Sequence, residues 1–134
     1  MLVSTKGRYA LRVMIDLAKH QNDSYIPLRD IANRQEISEK YLEAILKILV
    51  KEKMVVGLRG KKGGYMLNCN PSVCTAWDVI SATENGLSAV ACLEDGASKC
   101  PRSHSCETLP MWVKFDHTVQ EFFMNYTISD LAKN

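Results

Sequence analysis

Residues 26–67 read IPLRDIANRQEISEKYLEAILKILVKEKMVVGLRGKKGGYML, and this stretch decides the fold. Leu28, Ile31 and Ala32 have the i, i+3, i+4 spacing of a short amphipathic helix, which polar residues 34–36 interrupt. Ser38 then offers an N-cap oxygen to a second helix. The apolar stripe of that helix consists of Leu42, Ile45, Leu46 and Leu49. Two short helices joined by a polar break predict a helix-turn-helix, whose second helix can lie in a DNA major groove.

A β-hairpin is predicted directly after the second helix. Two short apolar runs, residues 54–56 and 65–67, flank the glycine-rich segment GLRGKKGG. The tip of this hairpin carries Arg59, Lys61 and Lys62 and no anion. Clustered cations on a flexible tip suit a wing that lies along a phosphate backbone, whereas an ordinary solvated hairpin has no need of them. The order and spacing of the two motifs favour a DNA-binding winged helix over a plain helical pair.

Charge is distributed unevenly along the 134 residues, a length that predicts one domain. Residues 1–66 contain 13 Lys and Arg against 7 Asp and Glu, a net charge of +6. Residues 67–134 contain 4 against 8, a net charge of −4. A basic half followed by an acidic half predicts one end that binds a polyanion and a second end with a different role.

Several classes of protein are excluded by what the sequence lacks. No apolar stretch approaches the roughly 20 residues of a membrane span, and the N-terminus lacks a signal-peptide pattern. We therefore expect a cytoplasmic protein whose thiols stay reduced, which favours metal ligands or sensors over a disulfide framework for its five cysteines. His20, His104 and His117 are scattered, and no glycine-rich loop follows a strand to cradle phosphates, so we do not expect an enzyme.

The sequence predicts a winged helix-turn-helix over residues 1–84, followed by a cysteine loop and a long helix over residues 85–134, in one structural unit. The long helix is predicted from a wide apolar stripe formed by Leu109, Trp112, Val113, Val119, Phe122, Phe123 and Tyr126. Such a helix suits a homodimer interface and would match a two-fold symmetric operator, although an internal core helix has the same pattern. The fold class is therefore mainly α with a small β-hairpin.

Three cysteines occur within fifteen residues, at Cys92, Cys100 and Cys106. Their spacing is not the C-x-x-C of a zinc knuckle or thioredoxin. Three thiolates on one loop could hold an iron–sulfur cluster, a zinc ion, or neither. The fourth ligand is open between His104, Glu107, another carboxylate and a residue of a second chain. Cys69 and Cys74, beside the Pro71 break, are interpreted as small half-buried side chains.

Four segments are similar to the bacterial winged-helix regulators that include IscR, NsrR and CymR. They are residues 2–12 (LVSTKGRYALR), 37–43 (ISEKYLE), 59–65 (RGKKGGY) and 100–106 (CPRSHSC), followed by Trp112. The resemblance covers almost the whole chain. It implies a homodimeric transcription factor whose recognition helix enters the major groove of promoter DNA while the wing reaches the minor groove. Cluster-binding members hold a 2Fe–2S or 4Fe–4S cluster on three loop cysteines.

Carried over by position, the resemblance implies that Ser38, Lys40, Tyr41 and Glu43 face the groove and that Arg59 is the wing arginine. It also implies that Cys92, Cys100 and Cys106 are the cluster ligands, sensing cluster status, redox state or nitric oxide. Two departures concern the fourth ligand: Leu109 stands where the IscR subgroup has a histidine, and Arg8 where the NsrR subgroup has a carboxylate. The alternative function is a zinc-binding or thiol-redox interaction module that regulates through a protein partner.

Overall fold

The computed structural model describes residues 2–133. Met1, the first residue of the predicted segment 1–84, and Asn134, the last of 85–134, lie outside the described residues. Its elements, in chain order, are α1 (Thr5–Lys19), α2 (Leu28–Gln35), α3 (Glu39–Lys51), β1 (Val55–Leu58), β2 (Gly64–Leu67), α4 (Ala76–Thr83), a 3-10 turn (Ala91–Leu93), α5 (Leu109–Met124) and α6 (Ile128–Ala132). The predicted mainly α fold with a small hairpin is confirmed.

The predicted helix-turn-helix is formed by α2 and α3. Helix α2 ends at Gln35 because Glu36 adopts a left-handed conformation with φ of 54°, which reverses the chain direction. Helix α3 begins after Ser38, whose Oγ accepts a hydrogen bond from the backbone N–H of Tyr41 at 3.2 Å. This cap satisfies one of the backbone donors that a helix start leaves without an intrahelical partner.

The core lies between α1 and the apolar faces of α2, α3 and α4. Its fully buried large side chains are Val13, Met14, Leu17, Ile31, Leu42, Ile45, Leu46, Leu49, Val55, Val79, Ile80 and Ile128. Ile128 belongs to α6, so the last helix returns across the chain to pack on α1. The acidic half is thereby joined to the winged helix through a shared core rather than through a linker.

The wing is an antiparallel pair in which Val55 lies opposite Leu67 and Gly57 opposite Tyr65. A third segment joins it, because Ile26 and Tyr65 exchange two backbone hydrogen bonds of 2.8 Å. Gly64 makes this approach possible, since a Cβ at that position would overlap the carbonyl of Ile26. The sequence pattern gave no indication of this third segment, which fixes β2 to the segment that precedes α2.

The two short helices α4 and α6 each begin with a capping box. Thr75 and Asp78 cap α4, and Thr127 and Asp130 cap α6. Thr75 and Thr127 also face each other across an isolated antiparallel bridge, so the two helix starts lie side by side.

Candidate functional site

A groove of about 910 Å³ runs between the exposed face of α3 and the wing. Its charged lining comes from both elements: Lys40, Glu43 and Lys47 from α3, and Arg59 and Lys61 from the wing. Of the described residues that line it, Glu43 is the one carboxylate, so the groove carries an excess of positive charge. A concave basic surface bounded by an exposed helix and a hairpin is suited to a nucleic-acid backbone.

Most of the predicted DNA-binding residues are exposed around this groove. Lys40, Glu43, Arg59 and Lys61 line it, and Lys62 is exposed on the same wing tip. Lys47 was not among the predicted residues, although its position seven residues after Lys40 puts both on one helix face.

Two predicted residues of α3 have structural roles of their own. Ser38 caps the helix. Tyr41 is half-buried outside the groove lining and packs edge-on against Tyr9 of α1, with ring centroids 5.8 Å apart. The guanidinium of Arg12, which also belongs to α1, lies 4.8 Å from the Tyr9 ring centroid. The contact between Tyr9 and Tyr41 holds α3 against α1. It thereby orients the face of α3 that the groove presents.

The pKa of the Tyr65 phenol responds to charged groups of both α3 and the wing. Burial raises the pKa of its phenol, the carboxylate of Glu43 raises it further, and Arg59 opposes the increase. The three groups therefore act on one another across the groove. The Tyr65 phenol stays neutral and can donate a hydrogen bond to an acceptor placed between helix and wing.

The cysteine loop connects α4 to α5 and is held at its first part. The backbone N–H of Ala89 donates to Oδ1 of Asp116 on α5 at 3.0 Å, and Ser88 Oγ donates to the carbonyl of Leu93 at 2.9 Å. Cys92 lies in the adjoining 3-10 turn and is exposed, whereas Cys100 and Cys106 are half-buried. All three thiols are free, so they are chemically available as ligands.

The second half of the loop has features that fit an iron–sulfur group. Cys106 Sγ lies 3.4 Å from Thr108 Oγ1, and this hydroxyl, with backbone N–H groups at the start of α5, lowers the pKa of Cys106. Ser103 Oγ is enclosed without a hydrogen-bond partner among the described residues. Thiolates are the ligands that such a group requires, and a nearby hydroxyl can donate a hydrogen bond to its sulfur atoms. Within residues 2–133, no three potential ligands are gathered around one point.

Helix α5 begins near the predicted position, with Pro110 accommodated in its first turn. Of its 16 described residues, none is buried. The exposed apolar side chains on or next to it are Met111, Val113, Phe115, Phe122, Met124 and Tyr126. Val3, Val119, Phe122 and Phe123 line an apolar depression of about 400 Å³ at its C-terminal part. The alternative of an internal core helix is wrong, because none of the described residues of this helix is fully buried.

None of the helices within the described residues is both long and apolar enough to cross a lipid bilayer.

Comparison with known proteins decides the family. Residues 3–134 match the Rrf2 family, described as an iron-dependent transcriptional regulator family. The chain belongs to the Rrf2 family. Its relatives include the HTH-type transcriptional regulator IscR of Yersinia pseudotuberculosis, which is 35% identical over all of this chain and 80% of its own length. IscR of Pectobacterium atrosepticum has the same identity and coverage.

Solved structures of Rrf2 regulators have the same architecture. CymR, the global cysteine regulator of B. subtilis, superposes with a TM-score of 0.77 at 35% identity, covering 99% of this chain and 97% of CymR. IscR of T. potens gives a TM-score of 0.73 at 31% identity, covering 99% and 87%. This Rrf2 chain is therefore a DNA-binding transcriptional regulator with a winged helix-turn-helix, and not an enzyme. The predicted resemblance to the IscR and CymR group is confirmed.

Proposed function

We propose that this Rrf2 protein is a cytoplasmic homodimer that binds a promoter palindrome and responds to iron–sulfur cluster status, redox state or nitric oxide through a cluster on its loop. The observation that carries the sensing part is the set of three free thiols, Cys92, Cys100 and Cys106, on one loop between α4 and α5. Residues 1–84 are assigned to DNA binding, and residues 85–134 to sensing and dimerisation.

Basic side chains on both walls of the groove support the DNA-binding role of its residues. Lys40 and Lys47 lie on one helix face, while Arg59 and Lys61 lie on the wing. We assign Lys61 and Lys62 to phosphate contacts, because their glycine-rich tip lets them follow a backbone. Arg59 and Glu43 are assigned to base edges, since Arg pairs with guanine and a carboxylate accepts from cytosine. Ser38 and Tyr41 position the start of α3 and can reach phosphate.

The exposed apolar side chains of α5 support a homodimer. Helix α5 contacts α4 on one side, where Trp112, Val119 and Phe123 are half-buried. Its other side exposes Met111, Phe115 and Phe122, and such an exposed apolar face suits a partner. A second copy is the occupant that a palindromic operator requires, because two recognition helices must meet successive major grooves. Val3 beside Phe122 and Phe123 would let the N-terminus contribute to the same interface.

The donor chemistry of the loop supports a cluster. Cys92, Cys100 and Cys106 would hold the iron, and the bound group would supply a centre that gains or loses electrons or is lost altogether. Asp116 ties the loop to α5 through Ala89. If binding of the cluster orders the loop, this change would be transmitted to α5 and would alter the spacing of the two recognition helices in the proposed dimer.

The second candidate is a zinc-binding or thiol-redox module that regulates through a protein partner. The same three thiols favour it, as does the similarity to CymR, whose structure is also known in an oxidised form in S. aureus. The two candidates differ in optical absorption, because zinc thiolates are colourless in the visible range, whereas iron–sulfur clusters absorb there.

Anaerobic reconstitution with iron and sulfide, followed by absorbance and a DNA titration of loaded and metal-free protein, tests the proposal. We expect visible absorbance and a different affinity for promoter DNA in the two forms. Equal affinities on every operator would remove the sensing role. Zinc uptake without a visible band would favour the second candidate.

A further inference from the structure

Two cysteines outside the loop face each other at the base of the wing. Cys69 follows β2 and is half-buried, while Cys74 precedes α4 and is 6% exposed. The two thiols are close enough for each to shift the pKa of the other, downward for Cys69 and upward for Cys74. Cys74 belongs to the core and Cys69 packs against it. One thiol is therefore accessible from solvent and the other lies directly behind it.

A hydrogen-bonded turn holds the two cysteines in this arrangement. The carbonyl of Asn70 accepts the backbone N–H groups of Val73 and Cys74, both at 2.9 Å. Its side-chain Oδ1 accepts the N–H of Ser72, also at 2.9 Å. Because Asn70 bonds to three of the four residues that follow it, the segment between the two cysteines is closed into a compact turn.

The two thiols differ in acidity. The contact with Cys74 lowers the pKa of Cys69, although burial and the carboxylate of Asp78 oppose this. The same contact, with burial, raises the pKa of Cys74. Cys69 is also the more exposed of the two, so an oxidant in solvent reaches it first, whereas Cys74 is 6% exposed and lies in the core. This division of roles is the one that an attacking and a resolving cysteine require.

Metal binding does not account for the pair. The carboxylate of Asp78 is engaged by the backbone N–H of Thr75 at 2.8 Å and by its hydroxyl at 3.0 Å. Across residues 2–133, no third ligand joins the two thiols in a group that could hold an ion. Two adjacent thiols without a metal have one characteristic reaction, which is oxidation to a disulfide.

We propose that Cys69 and Cys74 form a redox-active dithiol, oxidised to an intramolecular disulfide by low-molecular-weight disulfides. This modification site is separate from Cys92, Cys100 and Cys106 and does not depend on a cluster. It lies where the wing strand leaves the sheet and where α6 docks. Ile128 donates its N–H to the carbonyl of Cys74 at 2.9 Å, and Ser129 donates to the carbonyl of Pro71 at 2.8 Å.

The reaction proceeds by two exchanges. The Cys69 thiolate attacks one sulfur of the oxidant RSSR, whose S–S bond breaks, and RS⁻ leaves and takes up a proton. The Cys74 thiol then loses its proton and attacks the Cys69 sulfur of the mixed disulfide, expelling the second RS⁻, which is protonated. The protein loses two protons and two electrons, and one RSSR becomes two RSH.

The test is oxidation of the folded, full-length protein by glutathione disulfide, followed by alkylation with iodoacetamide, chymotryptic digestion and mass spectrometry. Cleavage after Leu67 and Trp77 releases residues 68–77, which contain these two cysteines and no other. After oxidation we expect this peptide to carry no carbamidomethyl group and to have a mass two hydrogens below that of the reduced, unalkylated peptide. Treatment with dithiothreitol before alkylation should restore two alkylated cysteines.

Single variants test the two roles and serve as matched controls. In Cys74→Ala, a stable glutathione adduct is expected on Cys69, because nothing resolves it. In Cys69→Ala, Cys74 is expected to remain free of glutathione, because it is buried. Circular dichroism establishes that both variants are folded. The proposal is overturned if folded wild-type protein keeps both thiols alkylated after oxidation, or if Cys74 takes up the adduct in Cys69→Ala.

Discussion

The carboxylate of Asp16 on α1 accepts hydrogen bonds from Nη2 and Nε of Arg34 on α2, at 2.7 and 3.0 Å. Gln35 Nε2 adds a third at 2.9 Å. Asp16 is 1% exposed, whereas the Arg34 side chain is 34% exposed. Burial raises the pKa of Asp16, but the hydrogen bonds from Arg34 and Gln35 outweigh it and hold the pKa below its ordinary value. This pair fixes the helix-turn-helix to the first helix.

Replacement of Arg34 by Met is expected to destabilise the protein by about 3 kcal/mol, because it leaves the buried Asp16 carboxylate without its cation. Urea unfolding measures the change through the midpoint at a constant slope. Arg29→Met is the matched control, since Arg29 is exposed on the same helix and its loss should cost under about 0.5 kcal/mol. Equal effects of the two substitutions would contradict a structural role for the pair.

The contribution of Asp16 should depend on pH in a defined direction. Because its folded-state pKa lies below the ordinary value of 3.8, its stabilisation is fully present above that value. It is lost as pH falls from 3.8 through the folded-state pKa. We expect the difference in unfolding free energy between wild type and Arg34→Met to shrink as pH falls and Asp16 becomes protonated in both folded proteins. A difference that is independent of pH would refute this assignment.

Arg59→Ala should weaken binding to a specific operator by about 1–3 kcal/mol if the side chain reads a base edge. Lys61→Ala should weaken specific and random DNA alike and reduce the salt dependence of binding, because it removes one phosphate contact. Lys133→Ala, at the end of α6 and outside the groove lining, is the control for net charge. Fluorescence anisotropy on both DNAs separates the roles, and an equal loss on both for Arg59→Ala would exclude base readout.

Phe122→Asp should convert the proposed dimer to a folded monomer. Phe122 is 56% exposed in the single chain, so the charge is tolerated there, whereas it would be buried in the proposed interface at a cost of several kcal/mol. Light scattering measures the mass, and circular dichroism establishes the fold. Lys114→Asp adds a charge at an exposed polar position of α5 and should leave the dimer intact. A wild-type monomer at micromolar concentration would disprove the interface.

Ser substitution of Cys92, Cys100 or Cys106 should each abolish the visible absorbance obtained on reconstitution, because cluster ligation requires thiolates. Cys69→Ser and Cys74→Ser should retain it under reducing conditions. Absorbance spectra and iron content provide the measurement. His104→Ala tests one candidate for the fourth ligand and should alter the spectrum only if this side chain binds iron. A Cys100→Ser protein with a normal cluster would contradict the ligand assignment.

Sequence alone was sufficient for the features that depend on local interactions. The helical period and the N-cap residue Ser38 predict the start of α3, and the Ser38 side chain accepts the expected backbone hydrogen bond. The groups involved lie within three residues of one another, so the information is contained in a short segment. The basic wing tip was predictable for the same reason.

Only the tertiary structure decided how distant segments meet. Ile26 joins the wing beside Tyr65, and Arg34 reaches Asp16, although nothing in either segment specifies the other. Cys69 and Cys74 were interpreted as small half-buried residues, yet the Asn70 turn brings their thiols together. Several apolar side chains of α5 remain exposed because its contact with α4 covers only one side of the helix. Local interactions decide where helices and strands form. The contacts between distant segments depend instead on which surfaces the packing of the shared core places next to one another.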